Sequence, residues 1–364
     1  MKPALLVVIC ACGSRPPPGS PTRLAPASSD RIAILASERG PQGVRLVAID
    51  EHGDRRFVAV QPPLDKVRDT HPAISPDGAW VVFASSRDRP LDETSLWIAP
   101  LGVAATPVRL TSGPAIDAHP TWMPDGSAIV FASTREGGDY DLWRQPIANG
   151  RAAGPAEQLT HAPSHEITPT IAADGAIIYA ALTPTGGHEV ESHLEQRATD
   201  GTITKLTAGP ADTSPALSPD GKTLAFARPF ERVTKAGTAL DTELWRVPRG
   251  GELATQLVDL PLTDESGPVW SRDGRFVFAT SVLRTPEAGV VFSSVIYVDL
   301  REATPRARLL EDHAGAIVRL TPAIAASALD VAALHGNPDY LPELARILDE
   351  GIARAQEEAV PSKP

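Results

Sequence analysis

The chain has 364 residues, and its 45 Asp and Glu outnumber its 34 Lys and Arg, which gives a formal net charge of −11 at pH 7. This balance excludes a nucleic-acid-binding protein, because such proteins neutralise phosphates with clustered Lys and Arg, and no basic patch occurs. The 28 glycines and 36 prolines, with only 5% aromatic residues, are typical of a turn-rich chain that is mostly β.

The first residues predict export. Lys2 precedes a short apolar run that is typical of a signal peptide and too short to span a bilayer. Its end, Ile9-Cys10-Ala11-Cys12, resembles a bacterial lipobox, which implies a lipoprotein signal peptide over residues 1–12 and lipidation of Cys12. Gly13 follows, whereas lipoproteins held at the inner membrane usually carry Asp there, so the resemblance implies the outer membrane. An ordinary signal peptide cut nearby is the alternative.

Residues 13–29 are predicted to form a tether. The segment is rich in Pro, Ser and Gly and has almost nothing to bury, so it can hold a folded domain away from the membrane.

One sequence motif then recurs about every 50 residues, a period typical of propellers, solenoids and arrays. Each copy has a Pro-led apolar run, a tight turn with Asp-Gly and an apolar strand. Because Asp-Gly permits the positive φ of a tight hairpin, each copy predicts two antiparallel strands. The copies are HPAISPDGAWVVFASS (His71 to Ser86), HPTWMPDGSAIVFAST (His119 to Thr134), TPTIAADGAIIYAAL (Thr168 to Leu182), SPALSPDGKTLAFAR (Ser214 to Arg228) and GPVWSRDGRFVFATS (Gly267 to Ser281).

Two further strands follow in the repeat. The third strand is marked by SLWIAP (Ser95 to Pro100), DLWRQP (Asp141 to Pro146), ELWRVP (Glu243 to Pro248) and VIYVDL (Val295 to Leu300). The fourth is marked by PVRLT (Pro107 to Thr111), AEQLT (Ala156 to Thr160), ITKLT (Ile203 to Thr207) and TQLV (Thr255 to Val258). Four antiparallel strands per unit, repeated around a ring, predict a propeller blade.

These phrases resemble the repeat of the TolB-like, WD40-like (PD40) β-propeller family, whose mark is the SPDG turn followed by an apolar strand and an LW or IY strand. The resemblance extends from about Asp30 to Ala325 and is weakest near Leu194, where the third strand lacks its aromatic residue. It implies an all-β fold, a six-bladed propeller of four-stranded antiparallel blades. It does not fix a function, because such blades serve several functions.

The first blade lacks its innermost strand. Arg31 to Glu38, Val44 to Asp50 and Phe57 to Val60 match the second, third and fourth strands of the repeat. The segment Thr321 to Ala325 resembles the inner strand of the repeat. We therefore expect it to pair as the inner strand of the first blade, which closes the ring and covers an exposed strand edge. The propeller is thus predicted over residues 30–325.

Residues 326–364 are predicted to be a helical tail. Apolar residues recur there at helical spacing, namely Leu341, Leu344, Ile347, Leu348 and Ile352. The helix is expected to pack against the propeller rim, and docking of a partner is the alternative.

Strand order divides the molecule into two faces. The Asp-Gly turns lie on one face, named here the turn face, and the connections between second and third strands lie on the other, named the loop face. Variable loops on a rigid scaffold are the usual place for binding, which favours the loop face. Its loops are Arg87 to Thr94, Arg135 to Tyr140, Thr183 to Ser192, Pro229 to Thr242 and Leu283 to Ser294.

An acidic residue lies two positions before each copy of the repeat. These residues are Asp69, Asp117, Glu166, Asp212 and Glu265. They could form a carboxylate ring at the mouth of the channel that receives a cation or a basic partner segment. With His71 and His119 they are the predicted binding residues of the loop face. The alternative is that each acid caps backbone N–H groups of its own turn.

Histidines also collect on the loop face. His161, His165, His188 and His193 form the densest group, near Glu166, and imidazoles with a carboxylate can hold a divalent metal. No spacing among them matches a zinc signature. A metal here would suit an enzyme like the metal-dependent polyuronide lyases, which have similar repeats.

No Gly-x-Ser-x-Gly elbow, P-loop or dinucleotide-binding glycine motif occurs. The expected function is therefore a non-catalytic periplasmic scaffold without a cofactor, anchored to the outer membrane. It is expected to be a monomer that binds an envelope protein or peptide. The metal-dependent lyase is the alternative.

Overall fold

The computed structural model describes residues 34–40, 43–49, 55–57, 66–101, 105–186, 189–234, 237–251, 253–260, 263–285, 289–310, 319–324, 334, 339–342 and 344–346. The predicted signal peptide, Cys12, the tether, His188 and most of the helical tail lie outside these residues.

Most of the described residues lie in β-strands of 2 to 12 residues. The first twelve are β1 (Ile34–Gly40), β2 (Gly43–Ile49), β3 (Arg55–Phe57), β4 (Val67–Ile74), β5 (Trp80–Ser85), β6 (Ser95–Pro100), β7 (Val108–Arg109), β8 (Asp117–Trp122), β9 (Ala128–Ser133), β10 (Asp141–Ala148), β11 (Arg151–Ala152) and β12 (Glu157–Gln158). The others are β13 (His165–Ile171), β14 (Ile177–Gly186), β15 (Glu189–Arg197), β16 (Ile203–Lys205), β17 (Thr213–Leu217), β18 (Thr223–Thr234), β19 (Gly237–Pro248), β20 (Thr255–Gln256), β21 (Thr263–Trp270), β22 (Phe276–Thr285), β23 (Gly289–Asp299), β24 (Ala307–Leu309) and β25 (Arg319–Ile324).

These strands build a β-propeller whose sheets are antiparallel except where β2 meets β4. Strands β13 to β16, β17 to β20 and β21 to β24 each form a four-stranded sheet in sequence order, and β8 to β12 form a five-stranded one. The remaining sheet has the order β25-β1-β2-β4-β5-β6-β7, with β3 paired to β2. The innermost strands contact one another in turn around the ring, and β25 contacts β4.

The predicted number of six separate blades is wrong, because the described strands form five sheets. The first sheet has eight strands, since β2 pairs in parallel with β4 at Gly43↔Val67 and Val44↔Arg68 and so joins two four-stranded groups. Gly43 has φ +122°, and a Cβ there would lie 2.2 Å from the carbonyl oxygen of Val67. The strands therefore join where a glycine lets two backbones approach.

The predicted closure of the ring is confirmed. Strand β25 pairs antiparallel with β1, with Ile34 opposite Ile324 and Leu35 opposite Ala323. The last described strand therefore covers the backbone edge of the first.

Apolar side chains fill the spaces between neighbouring four-stranded groups. Phe226 and Val247 of one sheet pack against Ile178 and Leu194 of the sheet before it, and all four are fully buried or nearly so. Each blade thus buries apolar side chains on both of its faces, as expected for strands that read as apolar runs.

Part of the C-terminal region packs into one of these spaces. Residues 340–342 and 344–346 are helical, and Tyr340 and Leu344 are buried against Leu257, Leu260 and Leu283. Within the described part of the chain, no helix has the length and apolar character needed to cross a bilayer.

Three predicted loops of the loop face are instead largely strand. The segments Thr183 to Ser192, Pro229 to Thr242 and Leu283 to Ser294 fall mainly within the β14–β15, β18–β19 and β22–β23 hairpins. The inner strand β17 pairs with β18 no farther than Ala227, whereas β19 stays paired with β18 out to Thr234. The outer part of this hairpin therefore projects roughly 20 Å beyond the inner strand.

Candidate functional site on the propeller axis

Each of five inner strands is interrupted at the first residue of the repeat and the proline after it. In β4 the pairing with β5 shifts register between Thr70 and Ala73, and the other four inner strands shift at the same place. Proline has no N–H for the strand ladder, so the extra residues form a β-bulge. The first residue then takes a positive φ at His71 (51°), His119 (51°), Thr168 (51°), Ser214 (53°) and Gly267 (59°).

These bulges place the first residues of the repeats on the propeller axis. They and the following prolines line a cavity of about 250 Å³. A positive φ costs a non-glycine residue on the order of 1–3 kcal/mol, and such strain collects at functional sites. The axial cavity is therefore the candidate site.

The polar groups of this cavity are uncharged near neutral pH. The rings of His71 and His119 lie 3.9 Å apart between centroids, tilted by 50°. Burial lowers the pKa of His71 well below its usual value, with the charges of His119 and Arg68 acting in the same direction. Burial also lowers the pKa of His119 to about 4. Nδ1 of His71 and Oγ1 of Thr168 are buried and have no hydrogen-bond partner among the described residues.

The five predicted acids lie nearby and are at most 4% exposed. Three of them bond to an arginine of the same blade. Arg87 lies 2.7 Å from Asp69, Arg135 lies 2.8 Å from Asp117, and Arg228 donates two bonds of 2.6 and 2.9 Å to Asp212. The carboxylates thus hold their own hairpins together, and the binding role expected for them stays a prediction.

The two glutamates of this set have no such arginine. Ser164 donates to Oε1 of Glu166 and Ser281 to Oε1 of Glu265, while the second oxygen of each is buried without a partner among the described residues. Burial raises the pKa of Glu166 to about 7 and that of Glu265 well above its usual range. Both glutamates therefore hold a proton in conditions where an exposed glutamate has lost it.

This proton makes stability depend on pH. Because the folded pKa of Glu166 is raised from 4.5 to about 7, the folded state binds more protons between these values, and stability is expected to fall as pH rises through them. Glu166→Gln should remove this part of the slope, up to roughly 3 kcal/mol across the range. The check is the free energy of unfolding in urea at several pH values, with exposed Glu157→Gln as control.

His119 acts with the opposite sign, because its depressed pKa makes stability rise with pH between about 4 and 6.5. That contribution is common to the wild type and Glu166→Gln, so it cancels in their difference. Identical pH slopes for the two proteins would contradict the prediction.

The three predicted metal-binding histidines that the structure describes do not meet in one place with further ligands. His161 is exposed, Nδ1 of His165 accepts a hydrogen bond of 3.1 Å from the Tyr140 N–H, and Nε2 of His193 lies 2.9 Å from Glu195. Within the part of the chain that the structure covers, no group of three or more His, Cys, Asp or Glu is placed to hold a metal ion.

Sequence reasoning missed several residues of the axial region. Thr168 and Ser214 occupy the same repeat position as His71 and His119, so the repeat alignment contained the signal for them. The partner arginines Arg87 and Arg135 both follow the second strand within the phrase Ser-x-Arg, which could have indicated them.

Comparisons with known proteins agree with the fold. The family model of the TolB beta propeller domain (PD40) matches residues 22–274. The putative TolB from Agrobacterium tumefaciens is 19% identical with a TM-score of 0.54, and the alignment covers 76% of this chain and 88% of that one. TolB from Acinetobacter baumannii is 18% identical with a TM-score of 0.60, covering 82% and 68%. A chain of the nidogen/laminin complex is 11% identical with a TM-score of 0.58, covering 81% and 98%.

At these identities the solved structures show a shared fold alone. No curated protein matches the sequence. The family model, however, spans well over half of the chain. The chain belongs to the TolB beta-propeller domain family.

Proposed function

We propose that this protein is a non-catalytic periplasmic scaffold that binds a protein or peptide on its loop face and along the axial cavity. The observation that carries the proposal is the set of strained, uncharged polar residues around that cavity. Leaving a buried donor or acceptor unpaired costs about 1–3 kcal/mol. Because Nδ1 of His71 and Oγ1 of Thr168 are covered in the structure, a ligand would bond to them only by moving the side chains around them, and it would then remove that cost and gain affinity from it.

The surroundings of the loop face favour a large ligand over a small one. The β18–β19 hairpin projects on this face, and Leu91, Val190 and Leu240, which also lie on it, are 46%, 46% and 66% exposed. Exposed aliphatic side chains around a recess suit the apolar centre of a protein interface.

Anchoring to the outer membrane through Cys12 is part of the same proposal. It is supported by the signal-peptide pattern of residues 1–12 and by the tether of residues 13–29, which would let the propeller reach an envelope partner. A metal-dependent polyuronide lyase is not favoured by any feature of the described residues, since such a site needs three or more converging ligands.

Site-specific photo-cross-linking in the native cells tests the proposal. A photoreactive phenylalanine analogue at Leu240 is expected to give a discrete cross-linked product, because this side chain stands on the loop face. Leu253, which is 86% exposed in the turn between β19 and β20 on the turn face, is the matched control and should not give the same product. Adding His71→Ala and His119→Ala should weaken the product at Leu240.

Fractionation of the same cells tests the membrane anchor. The wild-type protein is expected in the membrane fraction and Cys12→Ser in the soluble periplasm. The same product at Leu240 and Leu253, or no product at Leu240, would refute a ligand on the loop face, whereas an unchanged distribution of Cys12→Ser would refute only the anchor.

A further inference from the structure

A second cavity lies on the turn face, away from the loop face. It has a volume of about 350 Å³ and lies between the turns Pro76-Asp77-Gly78 and Pro124-Asp125-Gly126. Trp80, Trp122 and the end of β10 with its turn (Ile147 to Gly150) form its walls. We name this space the inter-turn cleft.

The two tryptophans of the cleft are held in place. The indole N–H of Trp122 donates to the carbonyl oxygen of Ala73 at 3.0 Å. Trp80 is in such close contact with Gly150 that a Cβ there would lie 2.3 Å from its ring. The cleft therefore has a preformed aromatic wall.

The two aspartates of the cleft are ionised and unpaired. Oδ1 of Asp77 accepts bonds from Ser75 and from the N–H of Ala79, and Oδ1 of Asp125 accepts two bonds from Ser127. These bonds lower the pKa of both carboxyls. Neither Oδ2 atom accepts a hydrogen bond, and neither carboxylate forms an ion pair, among the described residues; Arg144 acts on Asp125 only from beyond ion-pair distance.

The equivalent space between the sheets β13–β16 and β17–β20 is occupied by the chain itself. There Arg249 donates to Asp174, the counterpart of Asp77, at 2.9 Å, and to Gln196 at 2.8 Å. Arg249 follows the phrase ELWRVP, and Ile147 stands at the same place after DLWRQP. The same position of the repeat thus places the guanidinium of Arg249 beside Asp174 in one cleft. In the inter-turn cleft it holds Ile147, so Asp77 has no such partner there.

We propose that the inter-turn cleft binds the side chain of an arginine presented by a partner protein. The planar guanidinium can bond to carboxylates and stack on an indole ring, which a lysine ammonium does less well. Arg249 shows that the space between two turns accepts this group. The site lies opposite the loop face, so the propeller would contact partners from both sides of its ring.

The test uses the peptide acetyl-Gly-Arg-Gly-amide on the full-length protein, with the indole N–H signals followed by NMR. The Trp80 signal, assigned with Trp80→Phe, is expected to shift in a saturable way with a dissociation constant on the order of millimolar. The uncharged citrulline peptide should not shift it. Asp77→Asn and Asp125→Asn should each weaken binding roughly two- to five-fold, the effect of an exposed ion pair.

Asp200→Asn is the matched control, because Asp200 is also exposed and accepts a bond from the N–H of Thr202 within its own turn. It should bind the peptide as the wild type does. Ile147→Arg should fill the cleft and abolish binding, and Arg249→Ala should open a second site. Asp77→Asn and Asp125→Asn test whether the cleft binds arginine even if Ile147→Arg does not fold. No saturable shift, equal binding of the citrulline peptide, or full binding by Asp77→Asn would overturn the proposal.

Discussion

Gly43→Ala is expected to lower the free energy of unfolding by about 3–5 kcal/mol, through a clash and backbone strain together. The new Cβ would lie 2.2 Å from the carbonyl oxygen of Val67, and 3.0 Å from its nitrogen, so the two backbones must separate. Separation breaks the parallel pairing of β2 with β4 that joins the halves of the first sheet. Urea unfolding followed by tryptophan fluorescence measures the change.

Gly113→Ala is the matched control for this substitution. Gly113 also has a positive φ, +103°, but a Cβ there meets no atom within 4 Å. It should therefore show only the backbone strain, about 1–2 kcal/mol. Equal losses for the two variants would mean that the contact between β2 and β4 adds nothing to stability.

Tyr340→Ala is expected to cost about 3–5 kcal/mol, the usual range for removing a large buried aromatic side chain. The ring is fully buried among Leu257, Leu260 and Leu283. Its hydroxyl lies 2.6 Å from that of Ser281, which in turn donates to Glu265. The substitution therefore removes both apolar packing and a buried hydrogen bond.

Two further variants separate these contributions. Tyr340→Phe keeps the ring and should cost only about 1 kcal/mol for the lost hydrogen bond. Leu341→Ala, at a neighbouring side chain that is 39% exposed, should change stability by no more than about 0.5 kcal/mol. A loss for Leu341→Ala as large as that for Tyr340→Ala would contradict the view that the tail is held by its buried ring.

Most strands could be predicted from the sequence, because buried strands carry a direct signal. The β6 strand, for example, has the bounds of the phrase SLWIAP. The outer part of the β18–β19 hairpin could not be predicted, since it has no inner strand beside it and its sequence, PFERVT paired with GTALDT, shows no apolar alternation. Such a two-stranded hairpin is stabilised by pairs of side chains across its two strands. The sequence pattern of one strand does not show which strand pairs with it.

The number of sheets and the chemistry of the site depended on contacts between distant residues. Nothing around Gly43 in the sequence indicates that β4 will approach it, so the joining of two groups of strands was missed. The acids were found by their spacing, yet whether an acid has a countercharge depends on an arginine opposite it or two residues farther along the chain, as Arg87 is for Asp69. Arg228 lies beside Asp212, whereas Ala181 lies opposite Glu166 and leaves that carboxyl without a countercharge.

The pairing of β25 with β1 has a consequence for the order in which the protein matures. Residues from opposite ends of the sequence, such as Leu35 and Ala323, must meet before the ring is complete. Contacts of such long sequence separation slow folding. If the chain is exported from its N-terminus, as proposed, the ring can close only after Ile324 has reached the compartment of the other strands, and until then β1 exposes an edge that other chains could pair with. The time between export and closure is therefore the period in which this protein most needs protection from aggregation.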